Sequence, residues 1–271
     1  MIYKDKLSGI IKNTKSNLVV GLDSDYEKIP SVFKGSKNPQ LEFNLNIIKA
    51  TCKYCAGYKI NLAFYEAAGY EGLEALEGTV RAIPNDRIKI CDAKRGDIGN
   101  TSELYARAYL DNMNFDSITI SPYMGFDSVS PFLERKDKFV YILVRTSNPG
   151  AEDFQTLKSG RKKLYEIIAN KSLSWSKNQI GFVVGANHLE EIKLYTSMLE
   201  DIPLLIPGIG AQNNDLDDLL KNIHNNSFLI NASRSVIFAG KEKDSKFVYL
   251  QKVAKQTKFL NTQINIRRKN I

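Results

Sequence analysis

The stretch Arg87-Ile-Lys-Ile-Cys-Asp92-Ala-Lys94-Arg-Gly-Asp97-Ile98 reads as a strand, Arg87–Lys94, that brings Asp92, Lys94 and Asp97 together within six residues. Asp92 and Lys94 are two apart, so the period-two alternation of a strand puts both side chains on one face. Asp97 follows near the start of the next helix, where a carboxylate is also favoured for capping. Burying three such charges at the end of an apolar strand is costly unless each is paired. The segment is the first candidate for a catalytic centre.

Outward from this strand the chain keeps one rhythm. Further β-rich runs are Leu18–Asp23, Gly57–Asn61, Ser117–Pro122, Phe139–Thr146, Ile180–Ala186, Pro203–Gly208 and Ser227–Ser233. Helical patterns lie between them, at Leu41–Tyr54, Glu66–Ala82, Thr101–Asn112, Gly160–Ser174 and His188–Leu199. Many of the strands are near-continuous hydrophobic runs, the signature of parallel strands buried on both faces. Eight strands separated by helix-length segments predict an α/β fold, a (β/α)₈ TIM barrel; a doubly wound open sheet is the runner-up. With no linker, low-complexity stretch or fixed-period repeat, residues 1–271 read as a single domain. Met1–Lys12 forms a helix ahead of the first strand, and residues 147–160 form a long polar loop after the fifth.

Composition removes several classes. The 271 residues are 43% hydrophobic and 25% charged, as expected of a globular protein. No apolar run approaches membrane-spanning length, and the lysine-rich N-terminus lacks a signal-peptide core, so the cytoplasm is the expected location. The net charge of +8 is spread out; the one concentrated run, Arg267-Arg268-Lys269, is too short for a nucleic-acid footprint. Three cysteines argue against a disulfide framework. Cys52 and Cys55 form a lone C-x-x-C inside an expected helix, without a second ligand pair for zinc, and read as buried thiols. His188 and His224, the two histidines, are not expected to catalyse or to bind metal.

The other strand ends carry chemistry too. Active sites of barrels gather where strands end and βα loops begin. Strand 1 ends in Asp23, strand 2 carries Lys59, and strand 5 leads into Arg145-Thr-Ser147-Asn-Pro-Gly150. Strand 7 opens into Pro207-Gly208-Ile-Gly210-Ala-Gln212, and strand 8 ends in Asn231-Ala-Ser-Arg234-Ser235. Loops after strands 7 and 8 commonly hold phosphate; Gly208 and Gly210 allow close backbone approach, and Arg234 offers a bidentate fork. The Gly-x-Gly lacks the third glycine and early position of a dinucleotide fingerprint, so a phosphate monoester fits better. Arg95-Gly96-Asp97 spells an adhesion tripeptide, but it lies inside the strand–helix junction.

Asp92-Ala-Lys94-Arg-Gly-Asp97-Ile98-Gly-Asn-Thr101 resembles the Asp-x-Lys-x-x-Asp signature of the orotidine 5′-phosphate decarboxylase family, in its longer-loop, type 2-like branch. Leu143-Val-Arg-Thr-Ser147-Asn-Pro-Gly150, Pro207-Gly-Ile-Gly210-Ala-Gln212 and Ser233-Arg234 resemble its pyrimidine- and phosphate-binding loops. The resemblance spans nearly the whole chain. It implies a (β/α)₈ barrel that acts as a homodimer, with no cofactor and no metal, on orotidine 5′-monophosphate. It further implies that Lys94 protonates C6 as CO₂ leaves, giving UMP, with Asp92 beside the departing carboxylate and Lys59 completing the charged network. Asp23 would bind a ribose hydroxyl, while Asp97 and Thr101 would reach into the partner's site. Ser147 would read the pyrimidine edge, Gln212 would bridge base and phosphate, and Arg234 with amides around Gly210 would hold the phosphate. Asn213-Asn214 stand where glycines are expected, and Ser233 stands where many relatives have glycine, which limits backbone freedom. The alternatives are a metal-dependent sugar-phosphate decarboxylase or aldolase on the same barrel, with Asp92 and Asp97 as Mg²⁺ ligands, and a non-catalytic nucleotide-binding protein.

Overall fold

Eight short strands, each buried almost throughout, pair in parallel and close on themselves. They are β1 (Leu18–Gly21), β2 (Gly57–Asn61), β3 (Ile88–Arg95), β4 (Ser117–Ile120), β5 (Phe139–Arg145), β6 (Ile180–Val184), β7 (Leu204–Pro207) and β8 (Phe228–Ala232). The computed structural model describes residues 2–198, 202–209, 216–225 and 227–268. Each strand pairs with its sequence neighbours, and β1 pairs with both β2 and β8, which closes the barrel. The open-sheet alternative is excluded by that closing ladder, in which Leu18, Val19 and Val20 register with Ile230, Asn231 and Ala232.

Alternation sorts the strand residues into two cores. Val19, Ile88, Ile90, Phe139, Tyr141, Val183, Leu205 and Leu229 fill the barrel interior. Residues of opposite parity, such as Leu18, Val20, Ile118, Val140, Phe182 and Ile230, pack under the helices. The helix Tyr3–Thr14 seals the floor of the barrel with Tyr3, Leu7, Ile10 and Ile11. The Tyr3 ring stacks on Phe139 with centroids 4.4 Å apart, and the hydroxyls of Tyr3 and Tyr141 lie 3.1 Å apart. With the floor filled, the barrel interior is left open at the opposite end.

Helix boundaries differ from the sequence expectation where local chemistry intervenes. The second helix starts early, at Pro39, because the Asn38 side chain accepts from Leu41 N and proline suits the first turn. It ends at Thr51, so Cys52 lies in a 3₁₀ turn and Cys55 beyond it; burial pushes the Cys55 thiol up to about 12, which leaves it unreactive. The helix expected over Glu66–Ala82 is two, Ala63–Glu66 and Gly69–Ala82. The one expected over Thr101–Asn112 starts at Gly99 and finishes in a π-helical turn, Arg107–Asn112. The helix after β5 begins only at Leu164, because Lys158–Ser159 and Lys162–Lys163 pair as a small antiparallel hairpin. A 23-residue helix, Lys246–Arg268, closes the layer and buries Tyr249, Val253, Thr257, Leu260 and Ile264.

Candidate active site at the open end of the barrel

Alternation carries the interior face upward into polar residues. Above Ile88 and Ile90 stands Asp92, above Gly57 stands Lys59, above Ser117 stands Thr119, and above Leu229 stands Asn231. They border a cavity of about 520 Å³, which Asp23, Asn61, Lys94, Ser147, Gly208 and Arg234 also line. That is the size range of small-molecule sites, roughly 300–1,000 Å³.

The floor of the cavity is a chain of alternating charges. Lys59 Nζ donates to Asp92 Oδ2 at 2.6 Å and lies 3.6 Å from Asp23 Oδ1. Lys94 Nζ donates to Asp92 Oδ1 at 2.6 Å, and Thr119 Oγ1 donates to the same oxygen at 3.0 Å. Burial penalises the charge on Asp92, but the ammonium groups of Lys59 and Lys94 outweigh it and hold the carboxyl well below its ordinary range. Burial likewise opposes the charge on Lys59, yet Asp92 and Asp23 beside it keep its pKa above the usual lysine value. Both groups are ionised at neutral pH.

Asp92 and Lys94 meet, though not through simple alternation. Cys91 registers with Ile118, and the next paired residue, Arg95, registers with Ile120. Three residues of β3 therefore face the single Thr119 of β4. Lys94 takes up the bulge in a left-handed conformation, φ 50°, which costs a non-glycine residue on the order of 1 kcal/mol. Its side chain stays about half exposed, over the cavity, while Lys59 is buried.

Asp97 and Thr101 do not line this cavity. Asp97 Oδ1 accepts from Ile98 N at 2.8 Å, and its carbonyl accepts from Ser102 Oγ at 2.7 Å. The carboxylate does not cap the following helix, whose N-cap is Ile98. Arg95 is no adhesion motif: its guanidinium donates to Glu66 at 2.5 Å and Tyr109 at 2.8 Å and lies over the Tyr105 ring.

The β5 loop is tied down around Ser147. The Gln155 side chain accepts from Thr146 N at 2.9 Å and donates to Thr146 Oγ1 at 2.8 Å, and His188 Nε2 donates to the Thr146 carbonyl at 2.9 Å. Arg145 points away from the cavity and pairs with Glu152 and, at 3.8 Å, Glu191. At the β8 end Ser233 has φ −109°, so no glycine is needed there, and its Oγ accepts from Asn231 Nδ2 at 3.2 Å. Gly21 is needed opposite it, because a Cβ would lie 1.9 Å from that Oγ. Gly208, at φ 110°, turns the chain in a conformation reserved for glycine. Gly210, Gln212 and Asn213-Asn214 lie outside the described residues. Thr119, Asn61 and Gln155 were not singled out from sequence; parity with Ser117 and Gly57 marks the first two, and nothing local marks Gln155.

The fold and the charged cavity floor define a class: a (β/α)₈ barrel whose open end holds lysines against carboxylates. Comparison with known proteins narrows it. The profile described as "Orotidine 5′-phosphate decarboxylase / HUMPS family" matches residues 16–245. An orotidine 5′-phosphate decarboxylase of Dehalococcoides mccartyi is 46% identical, over 99% of each chain. One from Christiangramia forsetii is 45% identical over 86% of this chain and 88% of its own. The solved Leishmania donovani OMP decarboxylase superposes with a TM-score of 0.83, at 34% identity and 99% coverage of both chains. The chain belongs to the orotidine 5′-phosphate decarboxylase family. Its reaction is the decarboxylation of orotidine 5′-monophosphate to UMP in pyrimidine biosynthesis.

Proposed function

We propose that Lys94 is the proton donor of this decarboxylation, and that Asp92, Lys59 and a partner subunit's copy of Asp97 complete the catalytic set. The observation that carries the reading is the flanking of Asp92 by two ammonium groups, each at 2.6 Å, on the floor of the cavity. As the C6–carboxylate bond breaks, its electron pair stays on C6 and CO₂ departs. The Lys94 ammonium first stabilises that developing charge, then gives its proton to C6, and solvent reprotonates the amine. Asp92 repels the substrate carboxylate. Two carboxylates about 4 Å apart repel by roughly 4 kcal/mol at an effective dielectric near 20, worth roughly a thousandfold in rate. The two lysines offset much of that repulsion, so electrostatic stabilisation of the carbanion leads and ground-state stress follows.

Binding is shared along the mouth. Asp23 takes a ribose hydroxyl, a role supported by its buried Oδ1, which has no hydrogen-bond partner. Ser147 reads the pyrimidine edge, Gln212 bridges base and phosphate, and Arg234 with amides near Gly210 grips the phosphate. Binding that remote phosphate drives loop closure over the charged floor.

The enzyme acts as a homodimer, with Asp97 and Thr101 entering the neighbour's site. Their position outside their own cavity supports this, as does the apolar surface around them. Ile98, Leu104, Tyr123, Met124 and Phe126 are exposed, within or just ahead of the helices Gly99–Ala106 and Phe126–Leu133, which pack together. No cofactor or metal takes part. Both oxygens of Asp92 already accept from ammonium groups, a setting that suits no divalent cation, and turnover should persist in chelator. One domain carries the whole reaction, in the cytoplasm; no helix among the described residues is long and apolar enough to cross a membrane.

Subunit mixing tests the reading. Lys94→Ala and Asp97→Asn proteins are each expected to be inactive, with one intact site restored in every mixed dimer. Random exchange at equal concentration should return about a quarter of wild-type activity, as half the dimers carry one working site of two. Full turnover by either parent, or no recovery despite proven exchange, would overturn it.

A further inference from the structure

We propose that Thr119 is a positioning residue of this reaction: its hydroxyl fixes the Lys94 backbone and the Asp92 carboxylate relative to each other. The proposal rests on the assignment of Lys94 and Asp92 just given.

The bulge in β3 creates the need. Where three residues of one strand face one of its neighbour, the regular ladder cannot supply every backbone partner. Lys94 N, at the bulge near the end of β3, donates not to a β4 carbonyl but to Thr119 Oγ1 at 2.9 Å. The same hydroxyl gives its own proton to Asp92 Oδ1 at 3.0 Å. Oγ1 thus accepts from one working residue and donates to the other. Asp92 Oδ1 also accepts from Lys94 Nζ, so Lys94 is held at both ends by one small ring of contacts.

The direction of these bonds is fixed by chemistry. A backbone N–H can only donate and an ionised carboxylate can only accept, so the hydroxyl proton has one place to go. Thr119 is buried, so its hydroxyl is held to these two partners rather than to bulk water. Lys94 sits in an unfavourable left-handed conformation, and such strain persists only where surroundings over-determine it. Thr119 supplies that determination from the neighbouring strand. Serine could do the same; valine, equal in shape, could not.

Paired substitutions separate this role from packing. Thr119→Val keeps volume and loses the hydroxyl; Thr119→Ser keeps the hydroxyl and loses the methyl. Thr119→Val is expected to lower kcat by roughly tenfold to a hundredfold, the scale of one lost hydrogen bond at a charged group, with KM changed less than about threefold. Thr119→Ser should hold kcat within about threefold of wild type. A packing role predicts the opposite order, with valine active and serine impaired. Valine at wild-type kcat, or serine as poor as valine, would overturn the proposal. Thr119→Ala, which adds no atoms, replaces the valine variant if that protein does not fold. Lys94→Ala, assayed alongside, keeps two failures apart. If it retains turnover, the assignment of Lys94 falls; if it is inactive while valine is fully active, only the role of Thr119 falls.

Discussion

The two ends of the barrel each hold an aspartate among lysines, and they are built for different purposes. At the floor, Asp116 Oδ1 accepts from Lys6 Nζ at 2.6 Å and Oδ2 accepts from Lys89 N at 2.9 Å. Lys138, beside them, donates to Asn114 at 2.8 Å. Asp116 is satisfied and joins the first helix to the sheet. At the mouth, Asp92 is also satisfied, but Asp23 Oδ1 and Asn231 Oδ1 have no hydrogen-bond partner, Lys94 is strained, and open volume lies above. Charge and burial alone do not tell the two clusters apart. What marks the working end is unused hydrogen-bonding capacity beside empty space, at the strand ends where barrel sites occur.

The sharpest way to break this comparison is Lys94→Ala. Decarboxylation, followed by absorbance, should fall by at least roughly ten-thousandfold, while the thermal midpoint stays within a few degrees, because the residue is half exposed and strained. Asp116→Ala should do the reverse. Leaving Lys89 N unpaired costs roughly 2 kcal/mol, lowering the midpoint by about 4–8 °C with kcat and KM unchanged. Loss of activity in the folded Asp116→Ala protein would erase the distinction between floor and mouth.

A smaller effect sharpens it through pH. Asp92 is depressed below its ordinary 3.8, so the stability it contributes is present above that value and is lost as pH falls through the folded pKa. Lys59 is raised above its ordinary 10.5, so its contribution is complete below that value and is lost as pH rises through the folded pKa. Denaturant titrations of wild type and Asp92→Asn should therefore differ by a constant amount from about pH 5 to pH 9 and converge under acid. A difference that grew on acidification would contradict the pairing.

Much of this was legible in the sequence, and the reasons are local. Strands buried on both faces announce themselves as apolar runs, so the eight strands, from Leu18–Gly21 to Phe228–Ala232, lie where hydrophobicity put them. The charges of Asp23, Asp92 and Lys94 stood out because they end such runs, and that of Lys59 because it interrupts one. Alternation grouped Asp92 with Lys94 but could not reveal the bulge between them, since a ladder shift depends on the neighbouring strand. Thr119 escaped notice because a threonine in a strand is ordinary by composition. The helix Lys246–Arg268 was hidden by exposed Phe247, Phe259 and Ile266, which blur its buried stripe. Gln155 owes its place to a loop whose path no periodicity describes.

The floor of the barrel also sets an order of events in the making of the protein. Tyr3 is synthesised well before its partners Phe139 and Tyr141, which lie 136 and 138 positions later. The first helix has nowhere to seat until β5 exists, and loop closure over such a separation is slow relative to local contacts. Its apolar face must wait, in a nascent chain, until Phe139 and Tyr141 have been synthesised. That helix, made before the strands it seals, is thus among the last segments to dock, and its arrival certifies that the strands around it have closed.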